Sequence, residues 1–181
     1  PQAEFWFGAH PGGPSPIADD PQRTLADIDG LEDLPLVKLL AAAEPLSIQV
    51  HPDADRAAAG FDAQTADGPQ LFADPHEKSE IAIALTPFQT HAGWRNPAEA
   101  ADLFARAGAS PELVALITAS PRHVAVQSVL ALDPQSQQEI SGRIVGAAID
   151  AHWPPAAVSA LAKIVSSYPD DPGALVVPLL Q

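Results

Sequence analysis

Cysteine and methionine are both absent from the 181 residues of this chain, and basic residues are few: nine lysines and arginines stand against 23 aspartates and glutamates. Without cysteine the chain has no disulfide, thiolate zinc site or cysteine nucleophile, so a metal ion would need imidazole, carboxylate, amide or water ligands. The formal net charge of −14 argues against a nucleic-acid partner, because phosphates attract basic surfaces. An anionic substrate would therefore need a local group of basic side chains.

Long apolar runs are missing as well. No run reaches the roughly 18–20 residues that a membrane-spanning helix needs, and the start of the chain lacks the basic-then-apolar order of a signal peptide. We therefore expect no membrane partner and a cytoplasmic location. The hydrophobic content of 46% with 18% charged residues excludes a disordered chain, and the length suits one large or two small domains. Because even an initial methionine is absent, we expect the sequence to be part of a longer protein.

Up to about Arg95 the sequence is typical of strands and loops. Short apolar runs end in proline or turn residues, which predicts strands at residues 34–40, 47–51 and 81–85. Lys38 interrupts the first of these runs. Because an unpaired buried ammonium is costly, this side chain either extends to water at a strand edge or pairs with an anion inside a cavity.

The second predicted strand has one polar face. Ser47, Gln49 and His51 alternate with apolar residues, and alternate side chains of a strand share a face. A face exposed to solvent is the simpler interpretation. The alternative is half of a metal site, since His51 ends the strand beside an amide and imidazole is a common metal ligand.

A charged loop at residues 74–80 leads into the third predicted strand. Glu80 would share a face with Ala82 and Ala84, whose small side chains leave room beside the carboxylate. A solvated loop is again the simpler interpretation, and the second half of the metal site is the alternative.

From Asn96 onward the sequence predicts a small all-helical unit over residues 96–181. Helix starts are indicated by capping residues followed by proline at the first helical position. These pairs are Asn96-Pro97, Ser110-Pro111, Ser120-Pro121, Asp133-Pro134 and Asp171-Pro172. The spacing of Leu113, Leu116 and Ile117 predicts one buried helix face.

Four blocks in the first half carry a resemblance to a known family. They are Ala-Glu-Phe-Trp-Phe-Gly-Ala-His-Pro at 3–11, Leu-Val-Lys-Leu-Leu at 36–40, Pro-Leu-Ser-Ile-Gln-Val-His-Pro-Asp at 45–53, and residues 74–88. In this order the chain resembles type I phosphomannose isomerases. The resemblance implies an α+β fold, with a partial cupin-type (jelly-roll) β barrel in residues 1–95 followed by an all-helical domain in 96–181. It also implies that N-terminal strands and a C-terminal half, with a fourth ligand His and an active-site Arg, lie in missing parts of the same protein.

The resemblance also assigns site residues. It makes Gln49, His51 and Glu80 ligands of a zinc ion, Lys78 a catalytic group in proton transfer or substrate handling, and Lys38 and Ser47 neighbours of a sugar phosphate substrate. The loop departs from the family pattern of Asn-His-Lys-Pro-Glu at residues 76–80, which here read His-Glu-Lys-Ser-Glu. The acid at Glu77 takes the place of a histidine close to the chemistry.

The implied reaction is the zinc-dependent interconversion of mannose 6-phosphate and fructose 6-phosphate through an enediol. We expect this activity to belong to the longer protein, while the chain by itself is inactive and binds zinc weakly or not at all. Two other interpretations stay open: a non-catalytic metal- or sugar-binding cupin-like module, and a structural piece whose site holds nothing.

Overall fold

The computed structural model describes residues 3–10, 12–31 and 34–180. Its contacts divide the chain into two compact units, the first ending at Leu46 and the second beginning at Ser47. Within the described residues, none of the helices combines the length and the apolar character needed to span a membrane.

The first unit is built from two small antiparallel strand pairs. Its elements are β1 (Ala3–Phe7), β2 (Pro16–Ile17), β3 (Asp20–Thr24), a 3-10 helix (Leu25–Asp27) and β4 (Val37–Ala41). β1 pairs with β4 and β2 with β3, so the described residues form no closed barrel. The predicted strand at 34–40 is confirmed from Val37 onward. Residues 34–36, the first of the predicted strand, lie outside the strand pair, since Pro35 has no backbone N–H to donate.

The β1–β4 pair has one apolar face and one polar face. In its register Phe5 lies opposite Leu39, Phe7 opposite Val37 and Trp6 opposite Lys38. Since side chains alternate along a strand, the first two pairs share a face, and all four of their side chains are exposed. The sheet therefore has an uncovered apolar surface behind the face that carries Lys38.

The second unit contains the helices. They are α1 (Ala54–Asp62), α2 (Pro97–Arg106), α3 (Pro111–Ala119), α4 (Arg122–Leu130), α5 (Pro134–Asp150), α6 (Pro155–Ser167) and two 3-10 helices (Pro172–Leu175 and Val177–Leu179). Three predicted caps are confirmed: Asn96 accepts a hydrogen bond from the Ala98 N–H, Ser110 from the Leu113 N–H, and Asp133 from the N–H groups two and three residues on.

Two of the predicted helix starts are wrong in detail. α4 begins at Arg122 with Pro121 at the cap position, because Ser120 ends α3 by donating its N–H to the Leu116 carbonyl. A residue that closes one helix in this way is not in place to cap the next. Asp171 does cap a helix, with its carboxylate 2.7 Å from the Gly173 nitrogen, but that helix is a single 3-10 turn.

The apolar core belongs to α2–α6 and the final 3-10 helices. Its most deeply buried large side chains are those of Leu103, Phe104, Val129, Ile144, Leu161 and Leu175. Leu113 and Ile117 are buried as predicted, whereas Leu116 is 39% exposed, so that prediction holds for two of its three residues. Among the described residues before 96, only Gly8 and Ala57 are buried.

The predicted strands at 47–51 and 81–85 are wrong for this structure. Neither segment has regular secondary structure, and both are exposed, with Val50 at 89% and Ile81 at 90%. A strand requires a neighbour to take its backbone hydrogen bonds, and no described residue pairs with either segment. α1 starts directly after the first of them, capped by Asp53, whose side chain lies 2.9 Å from the Arg56 nitrogen.

The cap assignments give a matched pair of substitutions. Ser110→Ala removes the acceptor for the Leu113 N–H and should lower the free energy of unfolding by about 1 kcal/mol. Ser120→Ala should change it far less, because this side chain caps no helix start. Urea unfolding followed by circular dichroism measures both, and equal losses would contradict the revised start of α4.

Candidate metal and substrate site

The centre of the candidate site is a contact between His51 and Glu80. His51 lies just before the cap of α1, and Glu80 lies at the end of the charged loop, 29 residues further along. The imidazole Nε2 donates to the carboxylate Oε2 at 2.9 Å. The His51 side chain is 28% exposed and that of Glu80 51% exposed, so the contact is accessible to solvent.

Lys78 contacts the other oxygen of the same carboxylate. Its Nζ is 3.1 Å from Glu80 Oε1, and the lysine side chain is well exposed. The carboxylate therefore holds an imidazole on one oxygen and an ammonium on the other. Two of the three predicted zinc ligands and the predicted catalytic lysine are brought together in this way.

These two partners lower the pKa of the Glu80 carboxyl below its ordinary value. The hydrogen bond from His51 is the larger cause and that from Lys78 the next, while desolvation opposes them weakly. Both partners stabilise the ionised form, so Glu80 is a carboxylate at neutral pH. An ionised carboxylate is the form that can ligate a metal.

A shallow cavity of about 390 Å³ lies beside the contact. It is lined by His51, Pro52, Asp53, Glu77, Lys78, Ser79 and Glu80. Its carboxylates outnumber its one ammonium, so the chain's own charges in this cavity sum to a negative value at neutral pH. A phosphorylated ligand therefore needs further positive charge here.

Gln49 and Ser47 contact each other. The Gln49 amide donates to the Ser47 hydroxyl at 3.1 Å, and no hydrogen bond of the described residues joins Gln49 to His51 or Glu80. In the part of the chain that the structure describes, no group of three or more His, Cys, Asp or Glu side chains is arranged to hold a metal ion. Of the three predicted ligands, His51 and Glu80 are in contact with each other, whereas the Gln49 amide is hydrogen-bonded to Ser47.

Lys38 lies in the first unit, where it pairs with groups on β1. Its Nζ is 3.6 Å from Glu4 Oε2 and 4.0 Å from the centroid of the Trp6 ring. The Trp6 indole N–H donates to the same carboxylate oxygen at 2.7 Å. The structure combines parts of the two alternatives that the sequence left open: Lys38 pairs with an anion, but at the exposed surface of a two-stranded sheet. Sequence reasoning missed Glu4 and Trp6 as partners, since only the β1–β4 register reveals them.

The comparisons with known proteins cover the part of the chain that contains this site. A family model described as the catalytic domain of type I phosphomannose isomerase matches residues 1–97. The chain belongs to this family. The matched range includes all of the predicted ligands and both lysines.

Relatives of the type I phosphomannose isomerase family extend the match beyond residue 97. The mannose-6-phosphate isomerase of Salmonella typhimurium is 30% identical over 210 residues, which cover 99% of this chain and 52% of that protein. The human mannose-6-phosphate isomerase is 38% identical over 112 residues, covering 52% of this chain and 26% of the human protein. The chain spans about half the length of the first curated relatives it matches.

Solved phosphomannose isomerases share the fold of the chain. A crystal structure of a mutant enzyme from Salmonella typhimurium gives a TM-score of 0.77 at 27% identity, covering 99% of this chain and 51% of that one. A second, of the enzyme bound to fructose 6-phosphate and zinc, gives 0.74 at 28% identity and covers 98% and 51%. The matched fold thus extends through the helices after residue 97.

The lowered pKa of Glu80 predicts a pH dependence of its contacts. The side-chain carboxyl should titrate below the ordinary value of 4.5, so its contacts contribute stability above that pH and are lost as pH falls through the lowered value. Carboxyl ¹³C NMR of Glu80 measures this titration. His51→Ala and Lys78→Met should each move the pKa of Glu80 back upward, because each removes a hydrogen bond that lowers it. A pKa of Glu80 that is unchanged in both variants would contradict the assignment.

Proposed function

We propose that this chain carries part of the active site of a zinc-dependent aldose–ketose isomerase, which in the whole protein interconverts mannose 6-phosphate and fructose 6-phosphate. The observation that carries the proposal is the His51–Glu80–Lys78 cluster, which joins an imidazole, a carboxylate and an amine side chain within a region that matches the family's catalytic domain. The Salmonella typhimurium enzyme, solved with fructose 6-phosphate and zinc, supports the choice of substrate and metal.

The same proposal assigns the domains. Residues 1–95 contribute to a cupin-type barrel and 96–181 form the helical domain, with further parts of the same protein completing the barrel and supplying the remaining ligand. The exposed apolar face of the β1–β4 pair supports this, since an apolar sheet face is normally covered by another layer. The start of α2 at Pro97 and the helical core that follows support the boundary.

The chemistry of the donor groups fits zinc. His51 and Glu80 present the nitrogen and oxygen donors that zinc prefers, and their 2.9 Å separation is short enough for both to ligate one ion at about 2.0–2.2 Å each. Gln49 would be the third ligand from this chain, its amide turning from Ser47. Bound zinc supplies positive charge that polarises the sugar oxygens and stabilises charge developing next to the carbonyl.

The chain's own side chains have separate roles in the reaction. Lys78 carries the proton between C1 and C2: as the neutral amine it takes the proton from one carbon, and as the ammonium so formed it gives the proton to the other. Glu80 holds the Lys78 ammonium at 3.1 Å and so fixes where the proton donor lies. Lys38 and Ser47 bind the substrate, with the Lys38 cation supplying charge for its anionic group.

A second function is favoured by one observation, the acidic lining of the cavity. Asp53, Glu77 and Glu80 face a cavity with Lys78 as its one cation. Such a lining suits a metal ion or an unphosphorylated sugar better than a phosphate dianion. A non-catalytic metal- or sugar-binding cupin-like module is therefore the alternative.

Zinc titration by calorimetry tests the metal assignment. Binding by the unmodified chain should be weak, and His51→Ala, Glu80→Gln or Gln49→Ala should weaken it further by about 10–100-fold or abolish it. His76→Ala is the matched control. It lies in the same loop, where its backbone N–H bonds to Asp74, and should leave the affinity unchanged. Equal effects of the control and the ligand variants would contradict the assignment.

Isomerase turnover of the full-length protein separates the two functions. Lys78→Met should lower kcat by roughly 10²–10⁴-fold, the usual contribution of a positioned acid–base group, while zinc content stays unchanged. Unaltered kcat in this variant would remove Lys78 from the mechanism. Absence of any turnover in the full-length protein, with zinc bound, would favour the non-catalytic module.

A further inference from the structure

The loop from residue 63 to Glu80 is held against α1 by three residues, which we call the α1 clip: Gly60 in the helix, Gln64 just after its end and Phe72 in the loop. The Gln64 amide donates to the Phe72 carbonyl at 2.9 Å, and the Phe72 N–H donates to the Gln64 amide oxygen at 2.7 Å. One side chain thus satisfies both backbone groups of Phe72. Both contacts are partly buried, unlike those of His51 and Glu80.

Gly60 provides the space for the Phe72 ring. A Cβ built on Gly60 would overlap three atoms of that ring, so the ring rests directly on the helix backbone. Glycine is unfavourable inside a helix compared with alanine. Its presence in α1 is explained by the close approach of Phe72.

We propose that the α1 clip is the positioning device of the candidate site, holding the segment with Lys78 and Glu80 beside the end of α1 that follows His51. The inference rests on the proposed function only in assigning a metal and a reaction to that site. His51 precedes the Asp53 cap at the start of α1, and the clip holds the loop at Gly60, near the end of the helix, and at Gln64, two residues beyond its last residue.

Loop closure explains why a clip is needed. The His51–Glu80 contact closes a segment with a sequence separation of 29 residues, and closing a flexible loop costs conformational entropy. Solvent-exposed ion pairs stabilise a structure little, so this contact is too weak to order the segment by itself. With the clip formed, the His51–Glu80 contact has to close only the short segment from Phe72 to Glu80. The His76 N–H donates to the Asp74 carboxylate at 2.9 Å, which further restricts the conformations of that segment.

The clip differs from the other contacts within the loop. Gln70 donates to the Thr65 and Gly68 carbonyls at 2.8 and 3.1 Å, which closes a local turn without reaching α1. Gln70→Ala therefore removes loop hydrogen bonds and leaves the clip in place. It is the matched control for the clip variants.

Gly60→Ala separates positioning from general stability. The substitution improves the helix propensity of α1 while displacing the Phe72 ring. If the clip contributed only to the stability of the chain, Gly60→Ala would leave the segment with Lys78 and Glu80 in place or hold it more firmly. Gly142→Ala, in α5, has open space around its Cβ and controls for the glycine-to-alanine change itself.

Spin-label distance measurements on the full chain test the proposal without metal or turnover. Since the chain has no cysteine, labels at Ala54→Cys and Ser79→Cys report only the separation between the start of α1 and the Glu80 loop. We expect one narrow distance distribution in the otherwise unmodified chain, in Gln70→Ala and Gly142→Ala, and in the conservative variant Phe72→Tyr. Gly60→Ala, Gln64→Ala and Phe72→Ala should broaden it, with helical circular dichroism retained.

A narrow distribution in Gly60→Ala, or a broad one in the unmodified chain, overturns the clip. Zinc titration of the same variants bears on the proposed function separately, with about tenfold weaker binding expected when the clip is lost. If His51→Ala and Glu80→Gln leave the zinc content of the full-length protein unchanged while the distances behave as expected, the metal assignment fails and the clip stands. If zinc binds and the distances do not change, the clip fails and the metal assignment stands.

Discussion

Backbone pairing is the constraint on which the rest of this structure depends. Helices α2–α6 satisfy their hydrogen bonds internally and bury their apolar faces on one another and on the final 3-10 helices, so the core lies in this part of the chain. Strand-type segments have no such independence. β1 and β4 find each other, but their apolar face is uncovered, and the segments 47–51 and 81–85 find no pairing partner among the described residues.

The candidate site lies in segments whose backbone groups are not paired in a helix or a sheet. His51 and Glu80 belong to segments without regular structure, so their positions depend on local devices: the Asp53 cap of α1, the α1 clip and the shared carboxylate of Glu80. Catalytic groups are commonly carried on loops that a more rigid scaffold positions. In this chain α1, which begins three residues after His51, is the adjacent regular element.

Local signals were enough to predict much of the helical part. Asn96, Ser110 and Asp133 cap helices because capping requires only a side chain and the next few N–H groups. The predicted cap at Ser120 is wrong because the backbone of this residue already ends α3. A residue pattern does not show that the end of one helix and the start of the next compete for the same residue. The strand at 47–51 failed for a non-local reason, since alternation reports which face is polar and not whether a partner strand exists.

The site residues also divide into those that the sequence predicts and those that only the structure reveals. The resemblance of short blocks grouped His51, Glu80 and Lys78, and the structure brings these side chains into contact although 29 residues separate the first two. Their roles in one site are a proposal. The partners of Lys38 depend on the register of β1 with β4, and the α1 clip depends on a glycine whose role appears only beside the Phe72 ring.

X-ray absorption at the zinc edge of the zinc-loaded full-length protein tests the central claim most directly. The account predicts nitrogen and oxygen ligands, with imidazole scattering that weakens in His51→Ala; imidazole scattering unchanged by that substitution would contradict it.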